Sequence, residues 1–115
     1  MRNWLLNFVL CLLVLSACSS DPAKTIPANI LSEDRMKEIY LDVFIAESAV
    51  TDLHLAQDSA KKLMQLRYQQ IALKNKVDRK QMLKSMEYYF KHPIIYGEVM
   101  QTVIDSLSSM EARTK

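Results

Sequence analysis

The chain reads as an all-α protein, a small bundle of three to four helices, and three observations carry that reading. Its 115 residues include one glycine and three prolines, too little turn chemistry for a series of hairpins. Leu, Met, Lys, Gln, Ala and Glu, which lose little on entering a helix, are abundant. Downstream of Ser32, apolar residues recur at three- and four-residue steps in four successive stretches, the spacing of one helical face.

A different kind of segment precedes those stretches. Arg2 gives a short positive start, Trp4 to Leu15 is an apolar run too short to span a bilayer, and Leu15-Ser16-Ala17-Cys18 closes it on small residues. The run resembles a bacterial lipoprotein signal; the alternatives are an ordinary secretory signal beside a coincidental cysteine, or a short membrane helix. The resemblance implies that residues 1–17 are removed and that Cys18 carries acyl chains on its sulfur and its new amino group. Two or more chains anchor stably where one is marginal. Ser19 follows the cysteine, without the aspartate that in some bacteria retains lipoproteins at the inner membrane. The resemblance therefore points to the outer membrane, and the single acid in Ser19-Ser20-Asp21 to its periplasmic face rather than the cell surface. Cys11 leaves with the signal and Cys18 is taken by lipid. No disulfide is expected in an oxidising compartment, so packing alone must hold the fold.

Residues 18–31 are expected to form the lipidated cysteine and a flexible tether, with residues 32–115 as one helical domain. Pro22 and Pro27 oppose helix, and the polar residues around them offer little to bury. Fully extended, the tether reaches roughly 45 Å at about 3.5 Å per residue. Ile26, Ile30 and Leu31 are exceptions that should tuck against the domain.

The first helix is predicted over about 33–54. Ser32 is its N-cap, and Glu33 and Asp34 suit the positive end of the helix dipole. Met36, Tyr40, Val43, Phe44, Glu47, Val50 and His54 share one face, so Glu47 is expected to be buried, with a tyrosine hydroxyl or an arginine such as Arg79 as its partner. The second helix is predicted over about 58–74 with Asp58 as its cap. Ala60, Leu63, Met64, Tyr68 and Ile71 face inward, and Leu66 and Leu73 form a second flank.

The third helix is predicted over about 79–91. Asp78 and Gln81 form a capping-box pattern, and Val77 can staple to Met82. Met82, Leu83, Met86, Tyr89 and Phe90 are expected to point inward. Tyr88 and Tyr89, adjacent on a helix, diverge by about 100°, so Tyr89 should be the buried one. Pro93 ends the helix, because His92 is biased away from helical geometry, and opens a fourth helix over about 94–111. Tyr96, Val99, Met100, Val103, Leu107 and Met110 make its stripe. Gly97 weakens its first turn and suggests close helix contact.

The lipobox and proline-containing tether are followed by Met36-x-x-Ile39-x-x-Asp42, Glu47, Tyr68-x-x-Ile71 and Tyr88-Tyr89-x-x-His92-Pro93-x-x-Tyr96. Together these resemble a family of short Gram-negative lipoproteins of unknown function, over nearly all of the chain beyond the signal. The resemblance implies no activity. A looser similarity, around Asn75–Asp78, is to the helical domain of periplasmic folding chaperones.

Charge changes sign along the chain. Residues 32–57 hold two bases against six acids, and residues 58–92 hold nine bases against three acids. Either the acidic and basic helices lie side by side, or the basic middle faces lipid headgroups or an acidic partner. Nucleic acid fits the charge but not the expected compartment. With no Gly-rich loop and no clustered acids at metal-ligand spacing, no catalytic residue, metal, cofactor or small-molecule substrate is expected. His92 is read as bonding a carbonyl at a helix junction. The function expected is a membrane-anchored, non-enzymatic interaction module with an envelope protein as partner, its candidate surface being Tyr88, Lys80 and Lys84. The alternative is a chaperone-like holdase for periplasmic or outer-membrane clients.

Overall fold

The computed structural model describes residues 2–4, 7 and 25–114. Cys18, and with it the expected lipidation site, lies outside the described residues. Beyond Ser32 run four helices: α1 (Glu33–Asp52), α2 (Gln57–Lys74), α3 (Arg79–Phe90) and α4 (Pro93–Thr114). No strand occurs among the described residues. Helix α1 packs on α2 and α4, and α3 packs on the same two, so the four close a ring around one core.

Local chemistry sets the boundaries. The Ser32 hydroxyl accepts from the backbone N–H of Arg35 at 3.4 Å, and the Asp78 carboxylate accepts from that of Gln81 at 3.2 Å. Helix α2 departs from expectation: its N-cap is Ala56, with no side-chain cap, and Asp58 sits inside the first turn. Asp58 still faces the helix dipole favourably from there. At the end of α2, Lys76 adopts φ 54° while its N–H donates to the Leu73 carbonyl and that of Val77 to the Ala72 carbonyl, at 3.1 and 3.0 Å. This is a Schellman closure made without glycine. His54, with φ 48°, ends α1 in the same left-handed region, which is how a chain with no Gly or Pro there separates α1 from α2.

Met36, Ile39, Tyr40, Val43, Ile71, Ala72, Met82, Tyr89, Ile95, Val99 and Val103 form the core. Tyr89, as expected from its face of the helix, is wholly buried, while Tyr88 is half-buried. Three inward assignments fail: Leu83, Phe90 and Met110 are 38 %, 74 % and 42 % exposed. Positions 83 and 90 lie at the edge of the α3 apolar arc, about 100° from its buried centre at Met82, Ser85 and Tyr89. Leu66 and Leu73 are exposed as well. A Cβ on Gly97 would meet nothing within 4 Å, so this glycine serves no close helix approach.

Residues 26–31 belong to the folded unit, not to a flexible tether. Ile30 is buried, and Ile26 and Leu31 pack against the core. The Leu31 N–H donates to the Ser85 hydroxyl at 3.0 Å, and the Tyr89 hydroxyl donates to the Leu31 carbonyl at 2.9 Å. Gln81 reaches the Asn29 carbonyl at 3.5 Å. The segment thus lies along α3 as a strap. Ser85, buried in an apolar core, is there to receive it.

Candidate functional site

At 100° per residue, α3 turns three different sides to its surroundings. Its inner side carries Met82, Ser85 and Tyr89 into the core. On the strap side, Lys84, Tyr88, Lys91 and His92 line a hollow of about 240 Å³ with Ile30. The Tyr88 ring stacks on His92 with centroids 4.0 Å apart and meets Tyr89 edge-on at 5.8 Å. His92 Nδ1 lies 2.7 Å from the Tyr88 carbonyl. A carbonyl only accepts, so Nδ1 carries the proton and His92 closes the helix junction as expected. Lys80 and Lys84 are exposed on the outward side of the same helix. The three residues expected to form a partner surface therefore share one half of α3, with Tyr88 held by its ring neighbours.

On the opposite side of α3, a groove of about 330 Å³ opens between α1, α3 and α4, lined by Tyr40, Phe44, Met86, Phe90 and Tyr96, with Glu47 and Glu87 at its rim. Tyr96 meets Tyr40 edge-on at 5.7 Å and Phe90 edge-on at 6.1 Å. The Tyr40 hydroxyl donates to the Met86 carbonyl at 3.2 Å, and burial raises its pKa. Phe90 is 74 % exposed and Ile94, just across the turn, 62 % exposed. Sequence reasoning missed this feature because it placed Phe90 inward.

Glu47 is exposed rather than buried. It lies at the rim of the aromatic groove, open to solvent. Its partner is Tyr68, whose hydroxyl pKa is raised first by burial, then by the Glu47 charge and a hydrogen bond to it. Arg79 is half-buried, and its Nε is without a hydrogen-bond partner among the described residues. The expected Glu47–Arg79 site does not form. Glu87 is held by Lys91 at 2.8 Å, and that hydrogen bond and charge lower its pKa.

The charged network that does form joins α1 to the end of α2. Asp42 accepts from Lys74 at 2.7 Å and from Asn75 at 3.0 Å, while Arg35 donates to the Asn75 carbonyl. The acidic and basic helices are in this place side by side. A second groove of about 330 Å³ lies between them, with Asp42, Ile45, Arg67 and Lys74 on its walls. Among the described residues no cluster of His, Cys, Asp and Glu is placed to hold a metal ion, and no helix is long and apolar enough to cross a membrane. What the surface offers is an aromatic groove with Phe90 exposed on its wall, and a row of lysines beside the strap.

No curated protein and no solved structure matches the chain. A family described as a domain of unknown function (DUF4296) matches residues 27–113, nearly all of the strap and of the four helices, and the chain belongs to that family.

Proposed function

We propose that this chain is a lipid-anchored, non-enzymatic interaction module of the cell envelope, held through Cys18 at the periplasmic face of the outer membrane and binding another envelope protein. The observation that carries the binding role is Phe90, 74 % exposed on the wall of the aromatic groove of Tyr40, Phe44, Met86 and Tyr96. A large aromatic ring left in water on the wall of a groove that is itself aromatic makes one contiguous apolar patch, which marks an interaction site. The anchor is supported by the Leu15-Ser16-Ala17-Cys18 run at the end of an apolar stretch. A holdase calls for an extended, adaptable apolar groove, whereas Met36 and Met82 are wholly buried, Met64, Met86 and Met100 half-buried, and Met110, 42 % exposed, does not line the aromatic groove.

The test is a photo-crosslinking residue placed at Phe90, and separately at Leu66, in the full-length chain in intact cells. A discrete product from position 90 that Phe44→Asp, on the groove wall, removes in protein of unchanged helicity, with none from position 66, is the expected result. Diffuse products of many sizes from position 90 would favour the holdase, and no product would refute the binding role. Cys18→Ser should leave an unprocessed precursor without fatty-acid label; unchanged processing and labelling would refute the anchor.

A further inference from the structure

The outward side of α3 lies between the strap-side hollow, which Lys84 and Lys91 border, and the groove, which Glu87 borders, and its chemistry is mostly basic. Lys80, Lys84 and Lys91 fall within about 40° of one another around the helix and are all exposed. The only acid among them, Glu87, is already paired with Lys91. Strap contacts at Gln81, Ser85 and Tyr89 lie toward one flank of that row, and the groove residues Met86 and Phe90 toward the other. The row therefore runs beside the segment by which the chain leaves the domain toward Cys18. From Cys18 to Thr25 the chain reaches at most about 25 Å at about 3.5 Å per residue. A tether that short keeps α3 at high effective concentration near whatever surface holds Cys18, so even weak attraction is enough for contact.

We infer that the Lys80–Lys84–Lys91 face of α3 rests on the anionic phospholipid surface to which the chain is anchored, which orients the domain with its strap toward the membrane and its aromatic groove open to the side. This rests on the lipid-anchored reading above. Lysines attract anionic headgroups over a screened distance, so the contact weakens as salt rises. Docking in this pose leaves Phe90 and the aromatic groove free for a protein partner.

The experiment uses the mature lipidated protein, reconstituted into vesicles of phosphatidylethanolamine mixed either with phosphatidylglycerol or with phosphatidylcholine, each carrying a dansyl-headgroup lipid. Trp4 is the sole tryptophan, so a processed chain has none and a single one can be introduced as a reporter. Leu83→Trp, at the edge of the lysine row, should transfer energy to the dansyl lipid more strongly than Leu66→Trp on α2, in phosphatidylglycerol vesicles alone. Added salt should erase the difference, and Lys84→Ala should lower the docking equilibrium roughly fivefold. Equal transfer from the two sites, or a difference that survives Lys80→Glu with Lys84→Glu in protein of unchanged helicity, overturns the docking alone. Photo-crosslinks from position 84 to a protein in intact cells, together with equal transfer, would put an acidic protein on this face and overturn it too. Tryptophan emission from the wild-type chain would show that Trp4 is retained, overturning the anchored reading and the docking with it.

Discussion

The two ends of the α1–α2 hairpin are built differently. Near Ser32 and Asn75, the hairpin is backed by α3, α4 and the strap, and it holds Met36, Ile39, Tyr40, Ile71 and Ala72 out of water. From Thr51 to Gln70, around the loop, no residue is buried. Ala60, Leu63, Met64 and Tyr68 are half-buried, and the loop itself turns on His54 in a left-handed conformation. One sequence with similar helix propensity throughout thus gives a packed half, where the core resists opening, and a tip held by partial contacts. Helical order does not require a core at every turn, but protection from local opening does.

The largest expected effect contrasts these regions directly. Tyr89→Ala, in the packed half, should cost about 3–5 kcal/mol, whereas Leu63→Ala at the tip should cost about 1 kcal/mol in denaturant melts. Equal losses would break the comparison. Alkaline pH should attack the packed half next. Burial, then the charge of Glu33, pushes the Tyr89 hydroxyl up to about 12, and Tyr40 is raised by burial too. A raised tyrosine keeps its full contribution below the unfolded value near about 10 and loses it as pH climbs toward the folded value. Stability should therefore fall between about pH 10 and 12, and Tyr89→Phe should flatten that fall.

Smaller effects sharpen the picture. Gly97→Ala should stabilise by about 0.5–1 kcal/mol, because the new methyl meets no neighbour and alanine is the better helix former. His54→Gly should gain about as much by relieving the left-handed backbone at the tip, and its gain should appear as slower amide exchange over 51–70. The smallest change is Glu47→Gln, expected within about 0.5 kcal/mol in a thermal melt because the side chain is exposed.

Much of this was legible in the sequence, and the failures share a cause. Helix ends announced by Ser32, Asp78 and Pro93 came out where their capping chemistry places them, and the 100° rule separated Tyr89 from Tyr88. Periodicity tells which way a side chain points but not how far the opposite helix extends. Glu47 lies on the apolar face of α1 and Leu83 and Phe90 at the edge of the apolar arc of α3, yet all three stay in water, because no part of another helix covers them. Ser85 illustrates the reverse: a hydroxyl in an apolar stripe gives no local sign that its partner is the backbone of Leu31, 54 positions away. Of the candidate site, the lysines and Tyr88 were visible as residue types. The aromatic groove was not, because it is assembled from three helices.

The strap also decides how the molecule carries mechanical load. Tension applied upstream of Ile26 does not enter at the first turn of α1; it passes through Ile30 and the two hydrogen bonds by which Leu31 holds Ser85 and Tyr89. The load path runs straight into α3 and the centre of the core, bypassing the weak hairpin tip, so a pull on the chain meets the stiffest part of the protein first.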